Sequence, residues 1–466
     1  MSADVIAISL AFFGQLILVQ TLATEHYGWM VLALDLYAAF FLVVDLGLPT
    51  LLARDGAQAP TLVVRAMKRI YRLQFLAILP FLVLAFVLRP DHWLNIDAPP
   101  SLLICAGAVA LVHIASYAPR SGLRALGEAR LEAISKASER LVTVLGYGAL
   151  YLFQSTSPVM YTLAFFVGAA MGWVLSLVFI AIVAPPQQEQ LPWVALGKDW
   201  RTTRSLLFAA LPFALTLAVL PYVIRLEKFF VAISSGAHLA AVFHVAQLAW
   251  LAGLVVPMAL RSALLPVLGQ QRTDRVRLNM ELHHALDLCF GLLPIGMFGG
   301  YFLVAFLAPL AFPLSYLDGT YGASAVDIFA ILLAGWSFNM LATPTYTSLM
   351  AGQSPWKFAK FIFAVMMFAA VIGSVLIIHL ATTPMSILYA AAVASSASAA
   401  VALVLSWLLS AEWDFVYRRK DDFALAMMSI LLVSIGLVTH TVWWVFGLPL
   451  FGFIPRGWRA VHSTLG

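Results

Sequence analysis

Ionisable residues lie inside stretches of the sequence that are otherwise apolar, and the densest group is Arg225, Glu227 and Lys228. An ionisable group at bilayer depth costs several kcal/mol unless it is paired or faces a wet cavity, so such residues are functional candidates. Arg225 and Lys228 are three residues apart and would share a helical face, which predicts a cationic patch for an anionic substrate. Glu227 is predicted to be a titratable, ion-coupling partner. For Lys228 the alternative is a side chain that reaches along the helix to the membrane surface.

A second group of polar residues follows helical spacing in another apolar run. His113, Tyr117, Arg120 and Arg124 are four, three and four residues apart, so they form one stripe. A stripe that passes from imidazole through phenol to guanidinium suits a wet vestibule that attracts anions, and we predict that His113, Tyr117 and Arg120 contact substrate. Arg124 also suits a cytoplasmic anchor, and both interpretations stay open for Arg120.

Aspartates and amides mark further candidate positions in the apolar runs. Asp35 is near the middle of its run, which predicts a proton or sodium site, whereas Asp45 is near the inner end and could pair with Arg54. Two other polar faces have the spacing of a cavity lining, and they are formed by His244 with Gln247 and by Asn339 with Thr343, Tyr346 and Thr347. Such faces contact substrate in some transporters and join neighbouring helices in many membrane proteins.

Signatures of catalysis and of cofactor binding are missing from the sequence. There is no P-loop, no CxxC, no HExxH and no pair of carboxylates on a polar loop. We therefore predict no catalytic residue, no metal, no cofactor, no enzymatic activity and no nucleic-acid partner. Adjacent His283 and His284 would point about 100° apart on a helix and could not easily share a metal. Cys105 and Cys289 lie in apolar runs and are predicted to be packing residues.

The elements that must position these residues are membrane helices. Of the 466 residues 62% are hydrophobic and only 11% are charged, which is too little charge to coat a water-facing surface. Twelve apolar runs, each long enough for one membrane helix, fall at 5–23, 27–52, 70–89, 100–118, 133–153, 158–184, 205–232, 237–260, 285–312, 325–350, 358–380 and 384–410. A last apolar stretch, 422–455, is long for one helix and short for two.

Basic residues predict the orientation, because cytoplasmic loops are enriched in lysine and arginine. The even-numbered loops carry 22 of the 27 basic residues, and the odd-numbered loops contain only Arg89. The N-terminus is therefore predicted to be cytoplasmic. Arg456 and Arg459 would return to the cytoplasm if 422–455 forms a hairpin, which gives fourteen helices rather than thirteen.

The polar break Pro185–Arg204 divides the predicted helices into two sets of six. We predict an N-terminal lobe at 1–184, a cytoplasmic linker at 185–204, a C-terminal lobe at 205–411 and an extension of one or two helices at 412–466. The second and eighth runs share a plan, since each follows a short outer loop and ends in a segment bearing proline or arginine. Two like halves around a central site are a common transporter design.

Several short motifs resemble the O-antigen type polysaccharide flippases of the multidrug/oligosaccharidyl-lipid/polysaccharide exporter superfamily. Tyr27–Gly28, Leu46–Gly47–Leu48 and Arg54 match the second-helix region of that family. Glu227 takes the position of an acidic residue in the seventh helix, and Phe243–Ala246 stands where YxxA is usual. Leu317–Ser324 resembles the loop before the tenth helix, although Asp-Gly-Thr is a departure from the family pattern.

This resemblance implies an all-α, polytopic exporter fold of 12–14 helices and an alternating-access flippase in the bacterial cytoplasmic membrane. Its cargo would be an undecaprenyl-diphosphate-linked oligosaccharide, with H⁺ or Na⁺ as a coupling ion and polysaccharide-assembly proteins as possible partners. Arg225 and Arg120 would attract the diphosphate, the polar faces would contact sugar, and Asp35 or Glu227 would couple ion movement. Two alternatives stay open: an ion-coupled multidrug or metabolite antiporter of the same fold, and an integral-membrane enzyme of glycan assembly.

Overall fold

The computed structural model describes residues 2–88, 92, 97–186, 191–271, 274–351, 354–410, 419–439, 441, 447 and 454–465. Its regular elements in these ranges are all helices, without a strand. Nine helices in this part of the chain are long and apolar enough to cross a membrane, and the chain is a multi-pass membrane protein. They are Thr24–Asp45, Pro100–Ala125, Pro158–Val183, Ala237–Leu265, Val276–Ala311, Ala325–Ala351, Pro355–Leu380, Pro384–Ser410 and Lys420–Val438. Each of the twelve predicted apolar runs is helical over most of its length.

Packing divides the chain into two compact units. Unit 1 contains Met1–Arg225 and Gly236–Ala241, and unit 2 contains Leu226–Ser235 and Val242–Gly466. The helices that contribute to unit 1 are α1 (Ser2–Thr21), α2 (Thr24–Leu42), α3 (Leu48–Asp55), α4 (Val63–Leu88), α5 (Pro100–Ala125), α6 (Ala129–Leu152), α7 (Pro158–Val183) and the first part of α8 (Thr203–Ser235). The division of the sequence into two six-helix lobes with an extension stays a prediction.

The predicted second run, 27–52, is interrupted between α2 and α3. Leu46 and Gly47 have left-handed backbone conformations with φ of 56° and 67°. A Cβ on Gly47 would lie 2.5 Å from the backbone nitrogen of Ala214 in α8, so only glycine fits this close approach. The Leu-Gly-Leu motif is therefore a break in the helix.

Two glycines of α7 let α6 approach closely. A Cβ on Gly168 would collide with the hydroxyl of Thr143, and one on Gly172 would lie 2.8 Å from the Cβ of Glu139. The contact that these glycines permit holds polar side chains, whose arrangement is described below.

Unit 2 contains the remainder of α8 and the helices that follow it, except for Gly236–Ala241, which belong to unit 1. The helices after α8 are α9 (Ala237–Gly253), α10 (Val255–Gln271), α11 (Arg275–Pro294), α12 (Gly300–Ala311), α13 (Ala325–Ala351), α14 (Pro355–Gly373), α15 (Pro384–Ser410), α16 (Lys420–Val438) and α17 (Pro455–Leu465). Two π-helical segments, Ile295–Gly299 and Ser374–Leu380, continue α11 and α14. Such segments leave the regular ladder and are frequent near functional sites.

Trp336 of α13 contacts two irregular points of unit 2, the break between α9 and α10 and the first π-helical segment. Its indole nitrogen donates to the carbonyl of Gly253 over 2.8 Å, where α9 gives way to α10. Its six-membered ring covers Gly296 of the first π-helical segment, so closely that a Cβ there would lie 1.9 Å from the ring. The indole thus supplies the partner for a carbonyl at the break, and Gly296 supplies the space for the ring.

The C-terminal helices pack on α11 through charge and aromatic contacts. Arg419, just before α16, is 3% exposed and bonds to Asp287 of α11 over 2.5 Å and to Asp422 over 2.6 Å. Trp407 and Phe290 both pack edge-on against Phe423. α17 rests on α11 where Gly457 meets Gly291. Most of 440–453 lies outside the described residues, and so does the choice between thirteen and fourteen helices.

Candidate functional site

The predicted substrate cation Arg225 and the predicted coupling carboxylate Asp35 meet in one ion pair. Nε of Arg225 in α8 donates to Oδ1 of Asp35 in α2 over 2.8 Å, within unit 1. The two side chains are 29% and 18% exposed. Because the guanidinium is already matched by a carboxylate, an anion that binds Arg225 must compete with Asp35.

Glu227 and Lys228 are both buried in unit 2, and they differ in their partners. Among the described residues, neither carboxyl oxygen of Glu227 has a hydrogen-bond partner. Nζ of Lys228 lies 3.1 Å from Nδ1 of His244 in α9, and only 2% of Lys228 is exposed. Lys228 therefore directs its ammonium group to the interior of unit 2. The structure brings Lys228 and His244 together, although they were predicted only as separate candidates for substrate contact. It also buries Gln247, one turn further along α9.

The predicted stripe on α5 is matched by acidic residues on α6. The carboxylate of Glu139 accepts from Nη2 of Arg120 over 2.6 Å and lies 3.1 Å from Nε2 of His113. One turn beyond Arg120, the half-exposed guanidinium of Arg124 bonds to Glu132 over 2.8 Å. We call these residues, with Lys136 on Glu132 and Arg140 beside Glu139, the α5–α6 charge network. Tyr117 lies between its two ends and is 36% exposed.

Glu139 was not among the predicted site residues, yet it organises this network. Gly172 of α7 makes space for it, since a Cβ there would lie 2.9 Å from Nη2 of Arg120 and 3.0 Å from Oε2 of Glu139. The signal in the sequence was the spacing. Glu132 and Glu139 are seven residues apart on α6 and so share a helical face, as His113 and Arg120 do on α5. The vestibule role of His113, Tyr117 and Arg120 stays a prediction, and two of these side chains already bond to a carboxylate.

The hydroxyls of the predicted polar face on α13 bond mainly to their own helix. Thr343 donates to the carbonyl of Asn339 over 2.8 Å, and Thr347 donates to that of Thr343 over 2.5 Å. Asn339 and Tyr346 are half-buried, and the Tyr346 ring lies 6.5 Å from that of Phe358. The side chains of Asn339 and Tyr346 make no such bond to a carbonyl of their own helix among the described residues.

Asp45 does not pair with Arg54, which was one expectation from the sequence. It is buried in the 3-10 turn Val43–Asp45 that follows α2, and its Oδ1 lies 3.5 Å from the amide nitrogen of Gln74. Arg54 bonds instead to Asp55 and Asp199. In the part of the chain that the structure describes, no group of three or more His, Cys, Asp or Glu side chains could hold a metal ion.

Solved structures of other membrane proteins have a fold similar to that of this chain. No protein-family model and no curated protein matches the chain. Among solved structures, the chain is similar to a multidrug resistance MATE family transporter of the MOP superfamily in an inward-facing conformation. The TM-score is 0.64 at 13% identity, over 87% of this chain and 95% of that chain.

Two other solved structures extend the likeness. The lipid II flippase MurJ, in an inward closed conformation, gives a TM-score of 0.63 at 11% identity, over 99% of this chain and 98% of that chain. A MOP superfamily transporter from Pyrococcus furiosus, described as having a binding pocket of reverse polarity, gives 0.57 at 16% identity, over 89% and 96%. The chain has the all-helical membrane fold that the MATE transporters and the MurJ flippase share.

Proposed function

We propose that this protein is an alternating-access flippase that moves a lipid-linked oligosaccharide from the inner to the outer leaflet of the cytoplasmic membrane. The observation that carries the proposal is the extent of the structural likeness to the lipid II flippase. That likeness covers 99% of this chain, and so includes the C-terminal extension, whereas the likeness to the MATE structures covers 87–88%. An undecaprenyl diphosphate carrier is the cargo that the sequence motifs imply.

Two cations within one apolar helix support an anionic cargo. Arg225 and Lys228 lie in one helix, each bonded to a polar partner rather than to lipid. A diphosphate offers several charged oxygens, so it can replace Asp35 at Arg225 without leaving the guanidinium unpaired. In the proposal Arg225, Lys228, Arg120, His113 and Tyr117 contact the diphosphate end of the cargo.

The sugar end of the cargo needs neutral donors and acceptors. His244, Gln247, Asn339 and Tyr346 supply imidazole, amide and phenol groups from α9 and α13. Asp35 and Glu227 are the proposed ion-coupling groups. Asp35 would be released when the diphosphate takes Arg225, and Glu227 has an uncompensated carboxyl that can take up a proton or a sodium ion.

The test is a leaflet-exchange assay on the purified full chain in liposomes that carry a fluorescent undecaprenyl-diphosphate-linked sugar. We expect Arg225→Ala to slow exchange at least about tenfold, because a hydrogen bond to a charged group contributes about 1.5–3 kcal/mol. Arg130→Ala is the matched control, since Arg130 is exposed at the start of α6 and should leave the rate unchanged. Normal rates in both Arg225→Ala and Glu227→Gln would refute the site assignment.

A second candidate is an ion-coupled multidrug or metabolite antiporter. The observation in its favour is the TM-score of 0.64 to a multidrug resistance transporter, together with the buried carboxyl of Glu227, which suits a cationic substrate. An overexpressing strain distinguishes the two. Resistance to cationic dyes, combined with no exchange of the lipid-linked sugar in liposomes, would replace the flippase proposal with this one.

A further inference from the structure

Residues 191–204, between the two predicted lobes, fold onto the charged ends of α3 and α4. Both guanidinium groups of Arg65 and Arg69 lie against the ring of Trp193, at 4.6 and 4.8 Å from its centroid. Arg69 also donates to the carbonyl of Trp200 over 2.7 Å, and Trp200 donates its indole N–H to Asp55 over 2.9 Å. We call these contacts the linker clasp. They hold the linker against α4 through specific side chains.

The clasp leaves five exposed cations around it. Lys68 and Arg72 project from the same face of α4 that carries Arg65 and Arg69, because the four residues are three, one and three apart. Lys198, Arg201 and Arg204 come from the linker and the start of α8. None of these five has an ion pair within the described ranges.

Acidic residues do not neutralise this face. In α3 and the described part of the linker, the carboxylates are Asp55 and Asp199, and both bond to Arg54. Partial burial and the neighbouring charge of Arg65 lower the pKa of Arg69, so like charges repel one another at the clasp. A surface of this kind gains free energy when anions bind beside it.

Exposed apolar side chains begin immediately beyond the cations on both helices. On α4, Phe75 and Leu76 are each 63% exposed, one turn after Arg72, and on α8 Phe208 is 62% exposed, one turn after Arg204. Apolar side chains exposed on membrane helices face hydrocarbon, and the residues one turn before them lie at the level of the lipid headgroups. The five cations therefore stand where phosphate groups are.

We propose that the face formed by Lys68, Arg72, Lys198, Arg201 and Arg204 binds the phosphate groups of anionic phospholipids, and that the linker clasp assembles this face. The inference goes beyond the transport function and does not depend on the cargo. The charge bias that orients a membrane protein requires basic loops but no folded linker. Arg69 bonds to Trp200 and Thr203, the residues that precede Arg201 and Arg204. The clasp therefore holds this part of the chain against the side of α4 that carries Lys68 and Arg72, which a disordered loop would not do.

The experiment measures lipid selectivity of the full chain reconstituted in mixed membranes, by electron paramagnetic resonance of spin-labelled phosphatidylglycerol against spin-labelled phosphatidylcholine. Lys68→Gln/Lys198→Gln should reduce the preference for phosphatidylglycerol by up to about 25-fold, which is about fivefold for each cation at about 1 kcal/mol. Lys357→Gln/Lys360→Gln removes two exposed lysines at the start of α14 and is the charge-matched control. Equal losses in the two double variants would overturn the proposal.

Trp193→Ala tests the clasp without removing a charge. We expect it to weaken the phosphatidylglycerol preference about fivefold, the equivalent of one displaced cation. Trp356→Ala, an exposed tryptophan at the start of α14, is the control and should have no effect. An unchanged preference in Trp193→Ala would mean that the linker does not assemble the face. The exposed lysine variants decide the matter if Trp193→Ala does not fold.

A last measurement separates lipid from soluble anions. Glycerol phosphate, added in excess to the reconstituted protein, should leave the bound spin-labelled phosphatidylglycerol in place, because the bilayer presents its headgroups at high local concentration. Displacement by glycerol phosphate would show a site for a soluble phosphate and would contradict the proposal.

Discussion

The α5–α6 charge network and the α8–α9 cluster of Glu227, Lys228 and His244 treat a buried carboxylate in opposite ways. Glu139 receives a hydrogen bond from Arg120 and lies beside His113, whereas the carboxyl oxygens of Glu227 have no hydrogen-bond partner among the described residues. A carboxylate held by a guanidinium joins two helices and is costly to break. A buried carboxyl without such a partner keeps its capacity to exchange a proton or bind a cation. Burial alone therefore does not identify a functional acid. The presence of a charged partner marks the structural carboxylate of Glu139, and its absence marks Glu227 as the candidate for ion coupling.

The largest expected effect comes from breaking the compensated pair. Glu139→Ala leaves Arg120 buried without its carboxylate, which should destabilise the protein by about 3–5 kcal/mol. Arg120→Met/Glu139→Met removes both charges and should recover most of that loss. Thermal unfolding in detergent measures both variants. A double variant that is less stable than Glu139→Ala would show that the pair is not the source of the effect.

Arg419→Met tests whether loss of a charged partner also destabilises the protein in unit 2, and not only in the α5–α6 charge network of unit 1. Arg419 bonds to Asp287 and Asp422, whose side chains are 20% and 23% exposed. Partial hydration of the two carboxylates should limit the loss of stability to about 2–3 kcal/mol. The same unfolding assay applies. A loss below that of an exposed control such as Lys420→Met would break the comparison.

The glycine that seats the network gives a smaller effect. Gly172→Ala places a Cβ against Glu139 and Arg120, and we expect a loss of about 1–3 kcal/mol from overpacking. Gly148→Ala on α6 has nothing within 4 Å of the added carbon and should be neutral or stabilising by up to about 1 kcal/mol. If the two variants had equal stability, the contact between α6 and α7 would accommodate the added Cβ with no loss in the free energy of unfolding.

Glu227→Gln should have the smallest effect on stability and a large effect on function. The amide keeps the size of the carboxyl and no hydrogen bond is lost, so the change should stay within about 1 kcal/mol. If Glu227 couples ion movement, exchange of the lipid-linked sugar should become insensitive to the proton and sodium gradients across the liposome. A variant that unfolds as readily as Glu139→Ala would assign Glu227 to the structural class instead.

Much of the fold could be predicted from the sequence. The apolar runs place the membrane helices, because a segment in hydrocarbon must satisfy its backbone hydrogen bonds internally. Irregular points were harder to see. The break at Leu46 and Gly47 lies inside a run that is apolar throughout, and it follows from the close approach of α8 at Ala214. The spacing of residues within α2 contains no trace of that approach.

The candidate site was predicted as a set of residues but not as a set of pairs. Arg225 and Asp35 were assigned separate roles. They form an ion pair, although most of the N-terminal half of the sequence lies between them. Glu139 was overlooked because it lies near a loop rich in basic residues, where a carboxylate is expected to be solvated. Arg225 and Lys228 were predicted to form one cationic patch, but Arg225 is bonded to Asp35 and Lys228 to His244.

The sequence by itself determined the medium, the placement of most membrane helices along the chain, and which positions within them carry charge. It did so because transfer of a polar or charged group into hydrocarbon is costly at every position, whatever the neighbours. The tertiary structure alone decided which charges are compensated. That outcome depends on which helix faces meet, and here it was set by small residues such as Gly172, whose missing side chain lets Glu139 reach Arg120.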